Sequence, residues 1–166
     1  MSDRRPRFRV GQGFDAHRLV PGRPLWLGGV EVPCDRGLAG HSDGDVLLHA
    51  VADALLGALG EGDLGRHFPS SDPSLEGVAS AAILAKVVDR VRAAGWRVAN
   101  LDATVIAEAP RLAPHQAKLQ SSVADLLEAP ADAVNVKVTS TDGLGAIGRG
   151  EGVAAQVVVL LEEGAP

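Results

Sequence analysis

Near the C-terminal end, Val153–Leu161 is an apolar run broken only by Gln156. It is far too short to cross a bilayer, which takes about 20 apolar residues in a helix, so it must be buried in a folded protein. Its length and valine content read as a strand lying centrally in a sheet. Two other segments alternate as half-buried strands do: Leu101, Ala103 and Val105 against Asp102 and Thr104, and Val134, Val136 and Val138 against Asn135 and Lys137. Phe8–Phe14 reads as a first strand, and Leu25–Leu27 and Val30–Val32 flank Gly28-Gly29 as a hairpin.

Helical spacing separates these strands. Leu48, Val51, Leu55 and Leu59 predict a helix from about Asp43, capped by Ser42 or Asp43 and ended by Gly60 and Gly62. Leu84, Val87, Val88 and Val91 predict a second over about 78–94, stopped by Gly95. Pro114 opens a third, with Leu119, Val123, Leu126 and Leu127 as its stripe. Thr139–Gly150 reads as a glycine-rich loop. The order of elements predicts an α/β (α+β) sandwich: one mixed four-stranded sheet covered by helices, plus a small hairpin. A length of 166 residues fits one domain spanning 1–166, with residues 1–6 expected to be flexible.

Hydrophobic residues make up 46% of the chain, enough for a sizeable core. Sixteen Lys+Arg against 21 Asp+Glu argue against nucleic acid or an acidic membrane as a partner bound by bulk charge. Phe8, Phe14, Phe68, Trp26 and Trp96 are too scattered to form a base-stacking platform. A single cysteine, Cys34, excludes an internal disulfide framework and a cysteine-held metal, and favours the reducing cytoplasm. The basic start (Arg4, Arg5, Arg7, Arg9) runs into Val10-Gly11-Gln12-Gly13 and not into the apolar stretch of a signal peptide.

Asp15 and His17 stand two apart at the end of the first strand, where side chains on one face are about 6–7 Å apart. His49 lies mid-helix between Asp45 and Asp53. Two histidines and a carboxylate with an open fourth position form the ligand set of a reactive Zn²⁺ site, and Asp45 or Asp53 could orient the imidazole. The same residues also fit a buried histidine and solvated helix charges. His41-Ser42-Asp43-Gly44-Asp45 offers an anion the start of a helix, and equally fits an ordinary cap. Thr139-Ser140-Thr141-Asp142-Gly143 carries hydroxyls and a carboxylate suited to phosphate, or to a plain turn.

Taken together, Gly13-Phe14-Asp15-Ala16-His17, His41-Ser42-Asp43-Gly44-Asp45-Val46 with His49, Asp53-Ala54-Leu55-Leu56-Gly57, Gly62-Asp63-Leu64-Gly65, Phe68-Pro69, Asp72-Pro73 and Gly148-Arg149-Gly150-Glu151-Gly152 closely resemble the 2-C-methyl-D-erythritol 2,4-cyclodiphosphate synthase family. The resemblance runs in order from about Phe8 to Leu161. It implies a lyase of isoprenoid precursor biosynthesis, working as a homotrimer whose active sites lie between subunits. It implies Zn²⁺ or a similar divalent metal on Asp15, His17 and His49, and a second ion, Mg²⁺ or Mn²⁺, near Asp142. It assigns catalytic roles to His41 and Ser140. Substrate contacts are implied for Asp15, His17, His41, Ser42, Asp63, Leu64, Gly65, Phe68, Pro69, Ser70, Ser71, Asp72 and Arg149. Nucleotide contacts are implied for Ala107, Glu108, Ala109, Pro110, Arg111, Leu112, Ala113, Thr139, Ser140, Thr141, Asp142 and Ala146.

Four positions depart from the family's usual residues: Ser70 stands for Asp, Ser140 for Thr, Asp142 for Glu and Ala146 for a bulky apolar residue. Two other readings use the same residues: a zinc-dependent phosphate-ester hydrolase, and a non-catalytic trimer binding nucleotides or isoprenoid diphosphates.

Overall fold

The computed structural model describes residues 7–164, so the flexibility expected of residues 1–6 lies outside the described residues. From Phe8 the chain runs extended as β1 (Phe8–Pro21), then forms the hairpin β2 (Leu25–Leu27) and β3 (Val30–Val32) and a short β4 (Arg36–Leu38). Helix α1 (Val46–Leu59) follows, then the single turn α2 (Leu64–His67) and α3 (Ser80–Ala93). Next come β5 (Trp96–Ile106), α4 (Gln116–Leu127) and β6 (Val134–Thr139), and the chain closes with the short α5 (Gly145–Gly148) and β7 (Gly152–Glu163).

The sheet is mixed and has the order β4-β1-β7-β5-β6. Only β5 and β6 run parallel; every other neighbouring pair is antiparallel. The apolar run at Val153–Leu161 is the central strand, as its composition required. The sheet has five strands, not the expected four, because β1 extends to Pro21 and offers Leu19–Pro21 as an edge on which Arg36–Leu38 pairs. Asp15 and His17 therefore sit inside β1, with β7 beside them (Asp15↔Ala155, His17↔Val153), and not at a strand end.

Gly13, Val157, Ala103 and Val136 line up across the strands and are all buried, so one face of the sheet carries the core. Helix α1 lies along β1 and β7, α4 lies beside β6, and α3 packs on α1 and α4. The neighbouring row, Gln12, Val158, Asp102 and Asn135, faces away from them. Val10, Phe14 and Val158 on that face are 67%, 56% and 44% exposed. Helices thus cover one face of the sheet, where the sequence suggested a sandwich covered by helices.

Two helix starts moved for local reasons. Helix α1 begins at Val46 with Asp45 as its cap, because the Asp45 carboxylate, not Ser42 or Asp43, accepts from Leu48 N–H. Gly60, in the left-handed conformation, ends it as expected. Pro114 sits in a 3₁₀ turn, Ala113–His115, so α4 proper starts at Gln116.

Candidate metal centre and pocket

Two glycines decide how close α1 comes to β1. A Cβ on Gly11 would strike the Ala54 carbonyl and one on Gly13 the Ala50 carbonyl, so helix and strand meet backbone to backbone. Small residues on the helix, Ala50, Ala54 and Ala58, complete the fit. This close approach brings His49 over the Asp15–His17 pair, since all three side chains project into the same narrow layer.

The Asp15 Oδ2 atom lies 2.8 Å from His17 Nε2 and 2.9 Å from His49 Nδ1, and the two nitrogens are 3.2 Å apart. His17 Nδ1 donates to the Ala39 carbonyl at 2.5 Å, which leaves the Nε2 lone pair facing the cluster. Three acceptors so close together need a cation among them, a proton or a metal ion. Their spacing is near the ~3.3 Å expected between tetrahedral ligands held about 2.0–2.1 Å from an ion, and the carboxylate and imidazoles suit a divalent metal. Among the described residues, this trio is the His/Cys/Asp/Glu group placed to hold one.

Burial opposes ionisation of Asp15, but the hydrogen bonds and charges of His17 and His49 outweigh it and hold the carboxyl well below its usual range. The Asp15 hydrogen bond raises the pKa of His17 against the opposing effect of burial.

Asp45 and Asp53 do not orient His49. Asp45 is fully buried and turned the other way, accepting from Gly28 N–H at 2.9 Å and Gly29 N–H at 2.7 Å in the β2–β3 turn. Asp53 accepts from Leu64 N–H at 2.6 Å, which ties α2 to α1. Burial raises the pKa of both carboxyls. The far nitrogen of His49, Nε2, meets Ser80 Oγ at 2.9 Å and Ser42 Oγ at 3.2 Å. Sequence reading missed Ser80 because nothing within its own segment signals a link to a histidine 31 positions away.

Beside the cluster opens a pocket of about 180 Å³. His17, His41, Ser42 and His49 form its polar side, and Leu64, Phe68, Leu75 and Ile83 its apolar side, with Ser70 at the edge. Lys86 Nζ lies 5.9 Å over the Phe68 ring. Of the other residues expected at the substrate, Asp63 caps α2 through Arg66 N–H and Asp72 caps the turn at Pro73. Gly65, Pro69 and Ser71 lie in the same stretch outside the pocket lining, and exposed Arg149 pairs with Glu151 at 2.6 Å.

The residues expected at the nucleotide gather separately, where the parallel strands β5 and β6 end. Ala107 N–H donates to the Thr139 carbonyl at 2.9 Å, joining the stretches 107–113 and 139–142. Ser140 Oγ lies 3.3 Å from Asp142 Oδ1, and Leu112 is buried beneath. Ala146 is exposed on α5, which breaks up what read as a plain loop. None of these residues lines the His41–His49 pocket of the same chain.

Known proteins are similar to this chain over nearly its whole length. A 2-C-methyl-D-erythritol 2,4-cyclodiphosphate synthase from Alkalilimnicola ehrlichii is 60% identical over 155 residues, 93% of this chain and 94% of that protein. The synthase of the same name from Geobacillus kaustophilus is 57% identical over 156 residues, 94% of this chain and 99% of that one. A solved 2C-methyl-D-erythritol-2,4-cyclodiphosphate synthase in its CDP-bound form superposes with a TM-score of 0.86 at 38% identity, covering 93% of this chain and 100% of its own. The Asp15–His17–His49 cluster and all of the five-stranded sheet but the last residue of β7 fall within residues 8–162, the span that matches the YgbB family, and the chain belongs to that family.

Proposed function

We propose that the protein cyclises 4-diphosphocytidyl-2-C-methyl-D-erythritol 2-phosphate to 2-C-methyl-D-erythritol 2,4-cyclodiphosphate with release of CMP, a lyase step in isoprenoid precursor biosynthesis. The observation that carries this reading is the convergence of Asp15, His17 and His49 beside a half-polar pocket, in a chain 60% identical to a synthase along nearly its whole length.

In the reaction an oxygen of the 2-phosphate attacks the β-phosphorus, and the bond from that phosphorus to the CMP oxygen breaks, its electron pair leaving with CMP. A phosphate monoester with a second pKa near ~6 is largely dianionic at neutral pH, so the nucleophile needs no general base. It needs its repulsion neutralised and its chain folded back. His41 and Ser42 line the polar side of the pocket and Leu64 and Phe68 its apolar side; in this reading the first pair contacts phosphate and the second the methylerythritol carbon skeleton. Asp15, His17 and His49 would hold Zn²⁺, which when bound supplies positive charge to the reacting phosphates. Asp63, Gly65, Pro69, Ser70, Ser71, Asp72 and Arg149 complete the substrate contacts in this reading. Residues 107–113, 139–142 and Ala146 would hold the cytidine nucleotide; Asp142 would hold a second ion, Mg²⁺ or Mn²⁺, which when bound supplies further positive charge to the phosphates, and Ser140 would contact the transition state.

The active assembly is a homotrimer of single-domain subunits in the cytoplasm, with each site shared between neighbours. Two features support sharing. The nucleotide loops lie apart from the metal pocket of their own chain, and the helix-free sheet face exposes Val10, Phe14 and Val158. Among the described residues no helix is long and apolar enough to cross a membrane.

A phosphorus NMR time course on the substrate with Zn²⁺ and Mg²⁺ tests the reading. Cyclic diphosphate and CMP in equal amounts are expected. Linear products of cleavage by water would establish the hydrolase instead, and binding without turnover the non-catalytic trimer.

A further inference from the structure

We propose that Ser80, backed by Asp43, is a positioning residue that fixes the tautomer and aim of His49; this rests on reading Asp15, His17 and His49 as a divalent-metal site. Ser80 opens α3 and is 1% exposed. Its Oγ lies 2.5 Å from Asp43 Oδ1 and 2.9 Å from His49 Nε2. A carboxylate only accepts, so the Ser80 hydroxyl donates to Asp43 and must accept from His49 Nε2–H. That places the His49 proton on Nε2 and leaves the Nδ1 lone pair aimed at the cluster, 2.9 Å from Asp15.

His17 is set the opposite way, its Nδ1–H spent on the Ala39 carbonyl and its Nε2 free. The two imidazoles therefore present different nitrogens to the same point, each fixed by its own partner. Asp43 holds Ser80 by a second bond, its Oδ2 accepting from Ser80 N–H at 3.0 Å, so neither hydroxyl nor carboxylate can turn away. Ser42 Oγ also approaches His49 Nε2, at 3.2 Å, but it accepts from Gly44 N–H. Ser80 is the nearer hydroxyl and the one joined to a carboxylate. Carboxylate backing of this kind makes a ligating imidazole more basic as well as better aimed.

A purely structural role for the pair is the competing explanation, since Ala79 provides no side-chain cap and Asp43 supplies one to α3. Structure alone would change stability without touching the histidine tautomer or metal affinity. The test uses the full chain, with Zn²⁺ affinity measured by competition with a chromophoric chelator. Imidazole tautomers are read in the zinc-loaded protein by long-range proton–nitrogen correlation NMR. Wild type should carry the His49 proton on Nε2 and the His17 proton on Nδ1. Ser80→Ala and Asp43→Ala should each weaken Zn²⁺ binding by about 10–100-fold. Zinc affinity in Ser80→Ala within twofold of wild type would overturn the assignment while leaving the metal site standing. So would a His49 proton on Nδ1 in wild type, a result that needs no variant to fold. A wild-type protein that binds no Zn²⁺ would remove both.

Discussion

The α-carbon of Gly13 faces the carbonyl of Ala50 with no room between them for a methyl group, so strand β1 and helix α1 are in contact through their backbones. Because Asp15 and His17 continue β1 and His49 precedes Ala50, the width of this gap sets the dimensions of the Asp15–His17–His49 cluster. Gly13→Ala should separate helix from strand. Overpacking of this kind costs about 1–3 kcal/mol, and a lower thermal midpoint together with at least tenfold weaker Zn²⁺ binding is expected. A variant as stable as wild type, with unchanged affinity, would show that the contact can relax.

Asp45 joins three N–H groups from two parts of the chain: Leu48 in α1, and Gly28 and Gly29 in the hairpin. Asp45→Ala loses a helix cap and strands buried donors, at a combined cost of about 3–5 kcal/mol. The side chains of Asp15, His17 and His49 are not in this network, so Zn²⁺ should still bind the folded fraction. Calorimetric melts with and without Zn²⁺ separate the two effects.

Much of this was legible in the sequence, and the reasons for the rest are physical. Val153–Leu161 identified the central strand because nine residues of that composition have few other places to go. The Asp15-x-His17 spacing carried over because strand geometry fixes which side chains share a face. Strand β4 escaped notice since three residues, Arg36–Leu38, are too few to show alternation. Helical spacing offers Asp45 and Asp53 either as partners of His49 or as solvated charges; each carboxylate instead turns toward backbone donors, in the β2–β3 turn and at Leu64, that the helix pattern does not encode. Ser80 reaches His49 only through tertiary packing of α3 on α1.

Acidity should act in opposite directions on the metal-free and loaded forms. In the metal-free protein Asp15 raises the pKa of His17, so the stability this pair contributes is complete below the ordinary histidine value of about 6.5 and is lost as pH rises through the raised value. Asp15, whose pKa the same histidines lower, contributes stability that is lost as pH falls through its lowered value, in strong acid. A metal must displace the His17 proton. The gap in melting temperature between zinc-loaded and metal-free protein should therefore widen from pH 6 to 9, and a gap independent of pH would contradict the ligand role of His17.

His49→Ala should leave two ligands, too few to retain Zn²⁺ against solvent. Cyclisation should fall by several orders of magnitude. CMP affinity, assigned to residues 107–113 and 139–142, should change by less than about tenfold, or ~1.4 kcal/mol. Metal analysis, CMP calorimetry and phosphorus NMR on the same preparation check all three.

On the open sheet face, Val158 is 44% exposed and lies between Gln12 and Asp102. Val158→Asp adds a charge where the isolated chain has water, so the subunit should fold, yet the proposed trimer should dissociate and cyclisation should fall with it. Light scattering is expected to give three chain masses for wild type and one for the variant.

The placement of β7 between β1 and β5 has a consequence for how the protein is made. The central strand is the last of the seven to leave the ribosome, and its two neighbours in the sheet precede it. Until it arrives, β1 can pair only along its far end with β4, and the glycine-notched surface that receives α1 has nothing beside it. Pairing of Phe8 with Glu162 closes a loop of almost the entire chain, an arrangement of high contact order that slows folding. The sheet is thus completed only once β7 has been made, long after the Asp15, His17 and His49 positions of β1 and α1.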